Sequence, residues 1–223
     1  MLSPVVRPPG LLTGERLTVD EFLRRCEELP DLKNAELIDG VVYVASPVSR
    51  EHSRLDTRII AWLYYYAQAT PGCDNGNNGT WLMSGSAPQP DAYLCILPSR
   101  GGQSGNKGPL AVGAPELAVE IRVTSSALDL GPKLALYQGA GVREYITIEA
   151  TGQRLIWRVL ENGAYVAQAL PADGIARSRI FPGLWLDVTA FWAYDSAQML
   201  AMLKAGLASE DHRHFVERLA ATK

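Results

Sequence analysis

Three acidic residues of this chain stand where a carboxylate is costly. Asp91 follows Gln89-Pro90 and opens an apolar segment, Glu120 lies inside the alternating run 117–123, and Glu36 adjoins Leu37 and Ile38. A carboxylate in the middle of a sheet strand needs a positive partner or hydrogen-bond donors to offset its desolvation. Carboxylates that converge on one point suit a hard divalent cation, Mg²⁺ or Mn²⁺, held by oxygen ligands and water. The bland alternative for each is a solvent-facing acid, or one paired with a neighbouring Lys or Arg. Two basic residues follow: Arg122, two positions after Glu120, and Lys133 further on. Arginine stays protonated and cannot act as a general base, but it can neutralise a phosphate. The plain reading of Lys133 is a surface lysine in the first turn of a helix. His52, in the first turn of a long helical segment, is a further candidate for the same cleft, against the alternative of a hydrogen-bonded structural histidine.

The elements that must position these groups follow from periodicity and punctuation. Thr18 and Glu21 form a capping-box pattern, with Leu17 and Phe22 at the staple positions, so a helix starts there and fades near Pro30. Strands at 36–38 and 41–45 flank Asp39-Gly40, a two-residue hairpin signal. A helix over 49–69 presents Leu55, Ile59, Trp62, Leu63 and Tyr66 on one face. Strands are expected at 80–83 and 92–97, and the glycine-rich stretch 98–113 reads as a mobile loop able to close over a substrate. In 117–123, Leu117, Val119, Ile121 and Val123 share one face, and Ala118, Glu120 and Arg122 the other. A short helix over 132–138 carries Lys133 and, one turn on, Tyr137, read as packing against the sheet. A strand at 145–148 and a hairpin, 155–160 with 164–169 around Asn162-Gly163, come next. Helices at 196–204 and 210–220 close the chain, with apolar stripes Met199, Leu200, Leu203 and Phe215, Leu219 that pack on the core or on a second copy.

Composition narrows the class. With 223 residues, 47% hydrophobic and 20% charged, the chain fits one large globular domain, or one domain with an appendage, with a sizeable core. The expected division is a flexible arm at 1–16, a domain at 17–195 and a helical appendage at 196–223. A net charge of −3 argues mildly against tight non-specific binding to nucleic acid, without excluding a local basic groove. Cys26, Cys73 and Cys95 are odd in number and dispersed, and Cys95 reads as a small core residue. Reduced thiols, no leader pattern and no membrane-length apolar run together suggest a cytoplasmic protein.

Taken in order, several segments resemble the Uma2 family (DUF820). They are Glu36-Leu37-Ile38-Asp39-Gly40, the stretch from Ser46-Pro47 to His52, Gln89-Pro90-Asp91, Glu120-Ile121-Arg122, the run from Asp129 through Lys133 to Tyr137, and Gly141-Val142-Arg143-Glu144-Tyr145. The resemblance spans roughly residues 17–188 and implies the α/β restriction-endonuclease-like, PD-(D/E)XK fold: a mixed sheet flanked by helices, here with an added β-hairpin and C-terminal helices. It implies a metal-dependent endonuclease acting on nucleic acid, DNA first. Asp91 then corresponds to the motif aspartate, Glu120 to its acidic partner and Glu36 to the acid that completes the metal site. Lys133 corresponds to a lysine displaced onto the following helix, with Arg122 as the other basic candidate. A homodimer is expected by analogy with nucleases that cut duplexes in pairs. The reading from a different class is a nuclease fold kept as a catalytically inactive binding or assembly module.

Overall fold

The computed structural model describes residues 10–29, 32, 34–123 and 130–222. Residues 1–9 of the expected arm, Pro30 and Asp129 lie outside them. Thr18 accepts the Glu21 amide and starts α1 (Val19–Glu28). The Glu21 carboxylate does not close the capping box. It turns to Arg24 and Arg25, whose charge-assisted bonds are stronger than one to a backbone amide. The hairpin of β1 (Ala35–Ile38) and β2 (Val41–Val44) turns through Asp39 at φ 49° and Gly40 at φ 71°, the left-handed pair a two-residue turn requires. Phe22, Leu37 and Val42 form a small apolar cluster between α1 and this hairpin.

Helix α2 (Arg50–Ala69) is capped by Ser49 and buries Leu55, Ile59, Trp62, Leu63 and Tyr66, as their spacing predicts. After it come β3 (Cys73–Gly76), β4 (Trp81–Leu82) and β5 (Ala92–Ile96). The stretch expected to be a mobile loop is instead built. It holds a 3₁₀ turn at Pro98–Arg100 and two strands, β6 (Gly105–Lys107) and β7 (Leu110–Val112). These strands form a small sheet with β4. Buried Glu116 fixes its base by accepting the amides of Ile96 at 2.8 Å and Gln103 at 3.0 Å. Glycine is obligatory at 102, where a Cβ would lie 1.8 Å from the Ile96 carbonyl oxygen.

The chain continues through β8 (Leu117–Arg122), α3 (Leu130–Ala140), β9 (Glu144–Glu149), β10 (Arg154–Glu161) and β11 (Ala164–Ala167). A second short hairpin, β12 (Ile175–Arg177) with β13 (Trp185–Asp187), precedes α4 (Val188–Trp192), α5 (Ser196–Leu207) and α6 (Glu210–Ala221). The main sheet has six strands in the order β11-β10-β9-β8-β5-β3. Strands β8 and β9 run parallel and the other neighbours antiparallel, so the sheet is mixed. A parallel pair cannot be closed by a tight turn, and α3 is the crossover that joins it.

Both faces of the sheet are covered. Leu117, Val119 and Ile121 meet α2 and the C-terminal helices in the larger core, while Ala118 faces Tyr137 and Val142 from the α3 side. Of the expected stripes, Met199, Leu203, Phe215 and Leu219 are buried in that larger core, whereas Leu200 is only half-buried and lines a surface groove. Arg100 donates to the carbonyl oxygens of Leu219, Ala220 and Thr222 at the end of α6. Among the described residues, no helix is long and apolar enough to cross a membrane.

Candidate active site

Strand β8 places Glu120 at the centre of the sheet, opposite Thr147 of β9. The antiparallel register that sets Ala92 opposite Val119 brings Asp91, just before β5, alongside Glu120. The two carboxylates therefore lie on the same side of the sheet. Asp91 is fixed there because its Oδ2 accepts the Ile121 amide at 2.6 Å. Glu36 arrives from β1, which is docked on the segment before Asp91. Leu37 and Ala87 exchange backbone hydrogen bonds, and Glu36 Oε1 accepts the Gln89 amide at 2.6 Å.

Lys133 joins these acids. Its Nζ lies 2.9 Å from each oxygen of Glu120 and 2.8 Å from Glu36 Oε1. Burial alone would draw the ammonium down, but Glu120, Glu36 and Asp91 outweigh it and hold Lys133 above the ordinary lysine range. Glu120 is displaced upward by its own burial, opposed by Lys133 and reinforced by Asp91 and Glu36. We take it as the carboxylate, because an ammonium shares both its oxygens. Tyr137, expected only to pack, also donates its hydroxyl to Glu120 Oε1 at 2.8 Å. Burial, then Glu120, keep that phenol protonated, so it can only donate here.

All six candidates, Glu36, His52, Asp91, Glu120, Arg122 and Lys133, line one cleft of about 580 Å³. The segment 45–49 and β2, through Tyr43 and Val44, also line it. His52 Nε2 lies 3.6 Å from Asp91 Oδ1, and Asp91 holds the imidazole above its ordinary value against the effect of burial. One turn on, Asp56 was not anticipated. Burial, and then Asp91, push it up to about 6, and its Oδ1 is buried with no hydrogen-bond partner. Tyr145, on β9, lines the cleft and has a buried hydroxyl without a hydrogen-bond partner. Only the helical spacing of Asp56 from His52 could have hinted at the first; nothing in the sequence marks Tyr145 apart from core aromatics.

Buried acids elsewhere show what distinguishes this cluster. Glu144 accepts Ser178 Oγ at 2.6 Å and the Arg179 amide at 2.7 Å, and Glu116 accepts two backbone amides. Those carboxylates brace loops and face no cleft. Glu120 and Glu36 share one ammonium that lines the cleft. Counting Glu36, Asp91 and Glu120 against Arg122 and Lys133, the described lining carries one net negative charge with His52 neutral. A polyanion would be repelled from such a cleft unless a further cation entered it.

The fold is shared with a solved protein. A DUF820 protein of Anabaena variabilis, described as a putative nuclease, superposes with a TM-score of 0.61 at 14% identity, covering 80% of this chain and 98% of that one. No curated protein matches the sequence. The Uma2 family, described as "putative restriction endonuclease", matches residues 19–189. That match includes all six candidate residues in the cleft, and the chain belongs to the Uma2 family.

Proposed function

We propose that this protein is a metal-dependent endonuclease that hydrolyses phosphodiester bonds of nucleic acid, DNA in the first instance. The observation that carries the reading is the placement of Asp91 and Glu120 side by side in one cleft, with Lys133 against Glu120. The donor set fits a hard cation: the acids offer carboxylate oxygens, and one cation, the Lys133 ammonium, already sits among three of them at 2.8–2.9 Å. Among the described residues no group of three or more acidic, His or Cys side chains is spaced to hold a metal as it stands. Lys133 lies between Glu36 and Glu120, in contact with both. Asp91, Glu120 and Glu36 are the residues that would hold Mg²⁺ or Mn²⁺, which supplies Lewis acidity toward a phosphoryl oxygen and lowers the pKa of bound water.

The chain's own groups have separable tasks. The Ile121 amide fixes the direction of Asp91. Tyr137 holds one oxygen of Glu120. Lys133 brings positive charge that balances charge developing on phosphorus, and Arg122 lies in the same cleft to take a phosphate oxygen. His52 Nε2 can hold a proton beside Asp91.

The test is cleavage of plasmid and of single-stranded DNA and RNA by purified protein with Mg²⁺, Mn²⁺ or chelator. Cleavage that needs the metal and is lost in Asp91→Asn supports the reading. A single observation favours the other class: Lys133 already neutralises part of the acidic cluster without a metal. Protein that binds no divalent cation and cuts nothing would make the fold a binding or assembly module.

A further inference from the structure

The Lys133 ammonium has three carboxylate oxygens around it, from Glu120 and Glu36, at hydrogen-bond distance. A cation among acidic oxygens is the position a divalent ion would take, and two cations cannot share it. We propose that Lys133 is a resident counter-ion which a divalent cation must displace from Glu120, so that metal entry is an exchange and releases the lysine toward substrate. The inference rests on the metal-site reading of the cleft and adds to it the order of events.

Three features of the cleft support exchange rather than simple addition. First, Lys133 pairs with Glu36 and Glu120 at once. Second, its neighbour in the cluster, Asp91, is held in place by the Ile121 amide. Third, the lysine has somewhere to go. It lines an open cleft of about 580 Å³ on a flexible four-carbon stem, with its side chain 15% exposed. Before exchange the ammonium compensates buried acids that would otherwise repel one another. After it, the metal does so and the ammonium faces a phosphate. The lysine is thus inhibitory toward metal and productive toward substrate. That combination predicts opposite effects of one substitution on binding and on turnover.

The experiment measures Mn²⁺ affinity, by electron paramagnetic resonance and calorimetry, in the intact wild-type chain and in Lys133→Met, Lys133→Arg and Tyr137→Phe. Lys133→Met is expected to bind Mn²⁺ at least about ten-fold more tightly than wild type, since a competing charge a few ångströms away is gone. Lys133→Arg keeps the charge and is expected not to tighten binding. Tyr137→Phe loosens Glu120 without removing charge, and is expected not to tighten it either. Lys133→Met also strands buried Glu120 and half-buried Glu36, so its thermal unfolding is followed with and without Mn²⁺. The metal is expected to raise its Tm by more than that of wild type. Lys133→Met that binds Mn²⁺ no more tightly than wild type, or that stays unfolded when Mn²⁺ is added, overturns the exchange. Tighter binding in a protein whose wild type cuts no nucleic acid leaves the exchange standing and removes the nuclease reading instead.

Discussion

The Tyr137 hydroxyl donates to Oε1 of Glu120 across 2.8 Å, from one helical turn beyond Lys133. Two successive inward positions of α3 thus hold the same carboxylate, one with charge and one without. Tyr137→Phe removes a hydrogen bond to a charged group without opening a cavity, and should cost roughly 1.5–3 kcal/mol of stability in urea titrations. If Glu120 must be aimed, turnover with Mg²⁺ should fall with KM little changed. Destabilisation with unaltered turnover would return Tyr137 to a packing role.

Asp91 is both an acid of the cleft and an anchor for β8. Asp91→Ala should abolish metal-dependent cleavage and also destabilise the fold by about 1–3 kcal/mol, because the Ile121 amide is left without an acceptor. Asp91→Asn keeps an acceptor oxygen and should lose activity while remaining close to wild type in thermal unfolding. Equal stability of the two variants would show that the amide finds another partner.

Asp56 sets a pH dependence. Its carboxyl is raised from 3.8 to about 6 by burial and by Asp91, so the folded protein holds this proton where the unfolded chain has lost it. The contribution is present below the lower value and lost as pH rises through the higher one. Asp56→Asn, which needs no proton to stay neutral, should therefore gain stability over wild type as pH climbs through that window, and keep the gain at neutral pH. Parallel denaturation curves for the two proteins at every pH would contradict this.

His212 works in the opposite sense. It is buried between the Leu207 carbonyl and Thr70 Oγ1, at 2.9 Å each, and burial lowers its pKa below 6.5. Below that value the unfolded chain takes up the proton first, so stability falls on acidification. Hydrogen exchange should show α6 losing protection between neutral pH and about pH 5.5, and His212→Gln should flatten that loss. Exchange in α6 that ignores pH in wild type would exclude His212 as the cause.

Much of this arrangement was legible in the residues. The alternation around Glu120 gave its strand and face, and Asp39-Gly40 and Asn162-Gly163 gave two hairpins with the left-handed turns they need. Other elements were hidden for physical reasons. Strand β3 reads Cys-Asp-Asn-Gly, a poor β sequence held in place by pairing with β5. Glycine content made 98–113 look like a loop, but there glycine allows close backbone approach, and the anchoring acid, Glu116, lies outside the stretch. Strands β12 and β13 are three residues each, too short for any period to register. In the cleft, spacing pointed to Glu120 and Asp91, whereas the meeting of Glu36 with Lys133 depends on how the first hairpin docks.

The parallel pairing of β8 and β9 has a modular consequence. Glu120 lies on the strand that enters the crossover and Lys133 on the crossover helix itself, so acid and base belong to one β-α-β unit. Grafted as a whole onto another sheet, that unit would arrive with Glu120 and Lys133 already paired. Asp91 and Glu36 come from other parts of the chain and would have to be supplied by the host.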